Sequence, residues 1–196
     1  MNPYRVVKDF EAALCEYSGA PFAVTTTSCT FALLLACAWH KVREVEIPKR
    51  TYVSVPQSII HAGGWVAFGD YEWCGAYQLR PYPIWDSARR FTSAMYQSGQ
   101  FQCVSFHWGK TLGIQQGGAI LHNNPEADAW LRRARFDGRS EGVAPKDDTF
   151  DMVGWHAYMS PETAAQGLMR LALLPKHNED LPNDPYPDLS QFVAFR

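Results

Sequence analysis

The sequence predicts an α/β protein of three layers, in which a mostly parallel sheet is flanked by helices. Short apolar runs alternate with segments of helical periodicity along the 196 residues. A hydrophobic content of 46% and a charged content of 19% are ordinary for a globular protein, and the length allows a substantial core. We expect one domain over residues 1–175 and an extended, proline-rich tail over residues 176–196.

Helical periodicity marks five segments of the chain. The first segment places Val6, Phe10 and Leu14 on one face. Asn124 and Ser160 precede two later segments and are good N-cap residues, because their side-chain oxygens can accept hydrogen bonds from free backbone amides. The expected helices cover residues 5–17, 31–39, 53–62, 125–136 and 160–174.

Apolar runs bounded by turn residues mark the strands. Gly63 and Gly64 separate one helix from the strand after it, and a short apolar run leads directly into Asp86. Residues 70–83 and residues 137–151 are expected to be loops, because the first contains two prolines and the second is glycine-rich and charged. The expected strands cover residues 22–26, 44–48, 65–68, 84–86, 101–106 and 118–122.

Composition and charge narrow the function classes. A net charge of −2 gives no overall attraction to nucleic acid or to membranes, although it does not exclude a local basic patch. No apolar stretch has the length of a membrane span, and the N-terminus lacks the apolar core of a secretion signal. The five cysteines are odd in number and form no C-x-x-C pair. This pattern favours a reduced, cytoplasmic protein without a zinc site.

The residues around Lys110 form the most informative pattern. An aromatic-flanked serine, Ser105, precedes this lysine, and Gly117-Gly118 follows it and opens an apolar run. Asp86 lies upstream, at the end of a predicted strand. Together these residues indicate a pyridoxal 5'-phosphate (PLP) site, with lysine for the Schiff base, aspartate for the ring nitrogen and serine for the phosphate.

Each of these residues also has a commoner structural explanation. Ser28 and Thr30 lie where a strand turns into a helix, and such a turn either binds phosphate or is an ordinary helix cap. Asp86 alone would more often cap a strand end or form a surface ion pair. Lys110 alone would more often be a solvated lysine. The functional interpretation therefore depends on the combination.

Seven short segments, spread over residues 8–172, match the motifs of one enzyme family in order. They are T-S-C-T-F-A-L at 27–33, I-P-K-R-T-Y-V-S at 47–54, H-A-G-G-W-V-A-F-G-D at 61–70, W-D-S-A at 85–88, V-S-F-H-W-G-K at 104–110, Q-G-G-A at 116–119, and G-W-H-A-Y-M-S followed by A-A-Q-G-L between 154 and 168. The chain thereby resembles the DegT/DnrJ/EryC1/StrS family of sugar aminotransferases, within the PLP enzymes of fold type I.

The resemblance implies a role for each matching residue. Lys110 would be the Schiff-base lysine, Asp86 the partner of the pyridine nitrogen, and Tyr52 the side chain that stacks on the ring. The backbone amide of Phe31, with Thr30 and Ser105, would hold the phosphate. The residues expected to contact the cofactor are Ser28, Cys29, Thr30, Phe31, Tyr52, Asp86, Arg89, Ser105, Lys110 and His156.

The resemblance also implies a homodimer with a shared active site. In the family, the segment that corresponds to Gly154–Ser160 reaches the phosphate of the partner subunit. His156 would therefore lie near the other subunit's cofactor. The alternative is that His156 is a local turn or core residue.

Several positions depart from the family pattern. Arg89 stands where the family usually has glutamine or histidine near the phenolic oxygen of the cofactor, and Cys29 replaces a glycine of the phosphate turn. The stretch between Asp70 and Asp86 is short, and the family's C-terminal small domain is missing, so we expect a reduced large domain with the cofactor face exposed. Arg89 would then favour an anionic substrate, unless it pairs with a structural carboxylate.

Three functional hypotheses follow. The first is a PLP-dependent aminotransferase acting on a keto sugar linked to a nucleotide, which the family favours. The second is a PLP-dependent decarboxylase or lyase on a larger, amino-acid-bearing substrate, with Arg50, Arg89 or Arg139 binding a carboxylate. The third is an inactive scaffold that retains the fold. The presence of both Lys110 and Asp86 argues against such a relic.

Overall fold

A five-stranded sheet lies at the centre of the structure, a computed structural model that describes residues 4–195. The helices are α1 (Arg5–Ser18), α2 (Cys29–Trp39), α3 (Ser54–His61), α4 (Pro125–Ala134) and α5 (Pro161–Leu173). The strands are β1 (Phe22–Thr26), β2 (Glu44–Pro48), β3 (Trp65–Gly69), β4 (Tyr77–Leu79), β5 (Ile84–Asp86), β6 (Phe101–Ser105) and β7 (Gly118–His122). The predicted α/β class is confirmed.

The sheet is mixed, whereas the sequence predicts a mostly parallel one. Its strand order is β1-β7-β6-β5-β4, and within it only β5 and β6 pair in parallel. Strands β2 and β3 form a separate parallel pair. The connection from β6 to β7, residues 106–117, consists of turns, so β7 returns antiparallel beside its predecessor without a helical crossover.

Strand β4 corrects the prediction that residues 70–83 are a loop. Tyr77 pairs with Asp86 and Leu79 pairs with Ile84 in an antiparallel hairpin. Tyr77 and Leu79 are buried. A three-residue strand between prolines and a glycine is too short for its alternation to stand out in the sequence.

Alternate side chains of the sheet point into two apolar layers. Cys103 and Ile120 belong to the cluster that packs against α2, α3 and α4, whereas Val104 and Leu121 belong to the cluster that packs against α1 and α5. All four side chains are fully buried. The strand period of two therefore produces the helix–sheet–helix layering that the sequence predicts.

A buried ion-pair network joins α1, β1 and α4. The Glu11 carboxylate accepts hydrogen bonds from the Thr25 amide at 2.9 Å and from the Thr25 hydroxyl at 2.8 Å. It also pairs with Arg132 at 2.6 Å and with Arg135, whose side chain is 1% exposed. Burial opposes ionisation of Glu11, but the two guanidinium groups and the Thr25 amide hold the pKa of this carboxyl below its ordinary value.

The C-terminal segment packs back onto the domain. Residues 176–195 are irregular except for two short 3-10 turns. Asp180 forms a two-point ion pair with Arg90, and the Leu189 amide donates to the Lys49 carbonyl at 2.8 Å. Leu189 itself is buried. The division of the chain at residue 175 stays a prediction, but the segment beyond it has fixed contacts with the body.

Within residues 4–195, no helix combines the length and apolar character that crossing a membrane requires. The same residues contain no cluster of three or more histidine, cysteine or acidic side chains that could hold a metal ion. The five cysteines are free thiols. The cytoplasmic location stays a prediction.

The Glu11 network should be a main determinant of stability. Glu11→Ala removes one of the two carboxylates that pair with the buried Arg135 guanidinium and leaves only that of Glu141, and breaking a buried pair costs up to about 3–5 kcal/mol. Urea denaturation should show a correspondingly lower free energy of unfolding. As a control, Asp151→Ala removes the carboxylate of an exposed pair with Arg133 and should leave the urea midpoint nearly unchanged. Equal midpoints for the two variants would contradict this assignment.

Candidate active site

A cavity of about 490 Å³ opens where several strands meet at one edge of the sheet. Strands β1, β5 and β6 end at this edge, and β7 begins there, because it pairs antiparallel with both β1 and β6. The volume lies within the range of roughly 300–1,000 Å³ that is typical of small-molecule sites. Eight of the ten predicted cofactor contacts line the cavity: Ser28, Cys29, Thr30, Tyr52, Asp86, Arg89, Ser105 and Lys110.

Helix α2 points its N-terminus into the cavity. Ser28 is the N-cap, and its hydroxyl accepts a hydrogen bond from the Phe31 amide at 3.2 Å. Gly118 allows this arrangement, because a Cβ atom at that position would lie 2.5 Å from the Cys29 nitrogen. Strand β7 can therefore pass directly beneath the first turn of the helix. The exposed amides and positive dipole end of such a turn suit a phosphate group.

Hydroxyl groups surround this helix end. The Thr30 hydroxyl donates to Ser54 at 2.8 Å, and both residues line the cavity. Ser105, at the end of β6, lies opposite and accepts a weak bond of 3.5 Å from the His107 amide. Together with Ser28, these residues place four hydroxyls around the helix end, and those of Ser28, Ser54 and Ser105 can donate to an anionic oxygen.

Cys29 contributes backbone rather than thiol chemistry. Its sulfur lies 3.5 Å from the Cys103 carbonyl oxygen and faces the core. Burial raises the pKa of this thiol well above its ordinary value, and the nearby Asp86 carboxylate raises it further. The side chain is therefore a neutral thiol, and its replacement of the family's glycine keeps the helix start intact.

Asp86 ends β5 and is 4% exposed. One carboxylate oxygen accepts from the Ala88 amide at 3.0 Å, and the other accepts from the Tyr77 hydroxyl at 3.0 Å. Burial raises the pKa of this carboxyl above its ordinary value, although both hydrogen bonds and the positive charge of Lys110 oppose the shift. A cationic partner in the cavity would stabilise the ionised form of this carboxylate.

Lys110 is half-buried in the turn that follows β6, and its amide donates to the His107 carbonyl at 2.8 Å. Burial lowers the pKa of its ammonium group, and the positive charge of Arg89 lowers it further. The lowered pKa enlarges the fraction of neutral amine, which is the form that attacks a carbonyl carbon.

Tyr52 forms an outer wall of the cavity and remains 57% exposed. An aromatic face in this position can stack on a flat ring. Its predicted role against the cofactor ring agrees with this location and stays a prediction.

Arg89 lines the cavity but is already paired. Its guanidinium contacts the Pro182 carbonyl, the Asp184 carboxylate and the Tyr186 hydroxyl. Of the two alternatives that the sequence left open, the described residues place a carboxylate of the chain itself on Arg89.

Two predicted contacts lie outside the cavity lining. Phe31 packs its side chain against the core, and its amide is bonded to Ser28, so its predicted contact with the phosphate competes with the helix cap. His156 is exposed and lies 3.0 Å from the Asp137 carboxylate. The proposed contact of His156 with a partner subunit stays a prediction.

The sequence did not single out several residues that the fold brings to the site. Tyr77, Trp73, Asp184 and Tyr186 lie in stretches expected to be loop or tail. Tyr77 could have been found only by recognising β4, whose register places it opposite Asp86. Asp184 and Tyr186 carry no local signal, since their position depends on contacts with residues far away along the chain.

The polar groups of the cavity can be compared with the groups of PLP that they would have to bind. An amine of lowered pKa, a buried carboxylate and a hydroxyl-lined helix N-terminus correspond to the aldehyde, the ring nitrogen and the phosphate of that cofactor. The residues present therefore fit the group.

Comparison with solved structures shows the fold. A protein from Bacillus cereus described as a PLP-dependent aminotransferase is 19% identical, with a TM-score of 0.72 over 87% of this chain and 59% of that chain. The sugar aminotransferase CalS13 from Micromonospora echinospora is 16% identical, with a TM-score of 0.74 over 86% and 60%. Helicobacter pylori PseC, an aminotransferase involved in the biosynthesis of pseudoaminic acid, is 18% identical, with a TM-score of 0.73 over 86% and 57%.

The chain thus spans about 60% of the length of these structures. Comparison with curated protein sequences finds no match. The sequence model of one family matches residues 1–96 and 84–180, which together include every residue of the cavity's predicted cofactor set. The chain therefore belongs to the DegT/DnrJ/EryC1/StrS aminotransferase family.

Proposed function

We propose that this chain is a PLP-dependent aminotransferase that transfers an amino group to a keto sugar carried by a nucleotide, with Lys110 as the Schiff-base lysine. The observation that carries the proposal is the meeting of Lys110, Asp86 and the α2 N-terminus in one cavity. The sugar substrate is supported by family membership and by neighbours such as CalS13, which is described as a sugar aminotransferase.

The helix start would hold the cofactor's phosphate. Ser28, Thr30 and Ser105 offer hydroxyls, and the amides of the first turn offer donors without carbonyl partners in the helix. Ser54 extends the same group from the start of α3. Donors on three separate elements would fix the position of the phosphate and therefore the orientation of the ring.

When bound, PLP supplies an electron sink that stabilises negative charge on the carbon next to a substrate nitrogen. Asp86 would hold the ring nitrogen protonated, and its bonds to Tyr77 and Ala88 would keep the carboxylate aimed at that atom. Burial of Asp86 strengthens this ion pair, because the dielectric around it is low.

Lys110 would bind the cofactor and then move protons. Its lowered pKa favours the neutral, nucleophilic amine, and the same amine would accept a proton from one carbon bonded to the substrate nitrogen and deliver a proton to the carbon on the other side of that nitrogen. The aromatic wall at Tyr52 would cover one ring face and limit access of water to it.

A homodimer with a shared site is part of the proposal. The segment around His156 and the loop before Lys110 expose large side chains, with Val153 90% and Trp108 74% exposed. A second surface packed over these side chains would remove their apolar area from water. A second copy packed there would bring His156, with its donor nitrogen, to the edge of the neighbouring cavity.

Lys110 should carry the cofactor. After incubation with PLP and reduction with borohydride, peptide mapping should find the label on Lys110, and Lys110→Ala should show neither the label nor visible absorbance. Lys49→Ala is the matched control, because the bond of Lys49 to Asp70 raises its pKa and keeps it charged outside the cavity. A label on another lysine of the wild-type chain would refute the assignment.

Asp86→Asn should retain PLP but lose turnover. The amide cannot stabilise a protonated ring nitrogen, and removing one preorganised electrostatic partner costs on the order of 10²–10³-fold in rate. The measurement is single-turnover amino transfer followed by absorbance, with Tyr77→Phe as a milder variant that loosens the carboxylate. Activity of Asp86→Asn near that of the wild type would rule out the role.

The mass in solution should be twice that of one chain. Light scattering at micromolar concentration measures this directly, and Trp108→Glu should shift the protein toward monomer by burying a charge in the interface. If the wild type is monomeric across the accessible concentrations, the shared-site proposal fails.

A further inference from the structure

Arg89 is a buried cation whose partners all come from one segment of the chain. Its side chain is 7% exposed and contacts the Pro182 carbonyl, the Asp184 carboxylate and the Tyr186 hydroxyl, the last at 2.9 Å. The guanidinium also lies over the Tyr186 ring, 5.5 Å from its centroid. Arg89, Asp184 and Tyr186 all line the same cavity as Lys110.

The two members of the ion pair differ sharply in exposure. The Asp184 side chain is 67% exposed, whereas that of Arg89 is 7% exposed. Moving Asp184 away would return a carboxylate to water at little cost. Leaving Arg89 without an anion would isolate a buried charge, which is strongly unfavourable. Replacing Asp184 on Arg89 by another anion therefore costs less free energy than removing Asp184 and leaving Arg89 without an anion.

The segment does not depend on Asp184 to stay attached. Asp180 pairs with Arg90 at 2.6 Å, and Asn183 donates to the Trp73 carbonyl at 2.7 Å. Leu189 is buried and bonded to the Lys49 carbonyl. Contacts on both sides of Asp184 thus hold the backbone while its own side chain faces solvent.

We propose that Arg89 is the carboxylate-binding residue of this active site, and that Asp184 is an internal carboxylate which occupies it until the carboxylate of an amino-acid donor takes its place. The assignment as a donor site rests on the proposed function. The exchange of carboxylates on Arg89 is a property of the cavity that can be measured without the reaction.

The occupant already present identifies the chemical class. Asp184 presents a planar carboxylate to a terminal guanidinium nitrogen, and the Tyr186 hydroxyl lies beside both. An α-carboxylate of an amino acid has the same shape and charge and can use the same donors. Arg89 and Asp184 both lie close enough to Lys110 to influence the pKa of its amine. A carboxylate bound here would therefore be near the amine that takes part in the chemistry.

The test is calorimetric titration of the full chain with succinate, before and after loading with PLP. Asp184→Asn keeps the size of the side chain but removes the competing charge. If Asp184 occupies Arg89 about nine-tenths of the time, its removal should tighten succinate binding about tenfold. Glu179→Gln is the matched control, because it removes one carboxylate from the same segment at an exposed pair with His177 outside the cavity. Its succinate affinity should equal that of the wild type.

Arg89→Gln should abolish succinate binding, and thermal unfolding will show whether that variant is folded. The Asp184→Asn result decides the matter even if Arg89→Gln does not fold. Equal succinate affinities for Asp184→Asn and Glu179→Gln would overturn the proposal. A larger gain for inorganic phosphate than for succinate in Asp184→Asn would overturn the assignment to carboxylates.

Borohydride labelling of Lys110 on the same preparations separates the two proposals. Tenfold tighter succinate binding without any PLP label would support the carboxylate site while refuting the proposed cofactor. A normal PLP label with identical succinate affinities would refute the carboxylate site alone.

Discussion

The ion pair between Glu11 and Arg135 is the constraint on which the geometry of the site depends. Both side chains are almost completely buried, and they can pair with each other only while α1, β1 and α4 stay in place. Thr25, the strand residue that they both contact, lies three positions before Ser28. The network therefore fixes the point at which the chain leaves the sheet and starts α2. A shift there would move the phosphate donors away from the edge where Asp86 and Ser105 end their strands.

Much of the site was predictable because it lies at strand ends. Asp86 and Ser105 each follow a short apolar run, and Ser28 lies between a strand and a helix, so local patterns locate them in the sequence. Parallel strands then bring such ends to one edge. The local patterns did not predict that β7 returns antiparallel. Gly118 is the residue that permits this return, because only a residue without a side chain can pass so close to the Cys29 nitrogen.

The sequence left open that Arg89 pairs with a structural carboxylate, but the partner itself could not be predicted, because the pair joins residues 95 positions apart. Asp184 lies in a proline-rich stretch with neither periodicity nor a motif, and such a stretch carries no local information about its contacts. Strand β4 was missed for a related reason. Its three residues are stabilised by pairing with β5 rather than by their own propensity, so tertiary contacts decide the outcome.

The sequence predicts an exposed cofactor face, but the C-terminal segment adds a wall to the cavity that this prediction did not include. Tyr186 stacks near Trp73, with ring centroids 6.3 Å apart, and both side chains line the cavity. This wall is built from a loop and from a segment that anchors on Arg90 and Lys49, and it closes one side of the cavity. Its polar groups are a carboxylate and a phenol beside an arginine. Such a wall selects ligands by charge more than by shape. A ligand can bind the Arg89 guanidinium only by displacing the Asp184 carboxylate, and an anion is the group that can replace it.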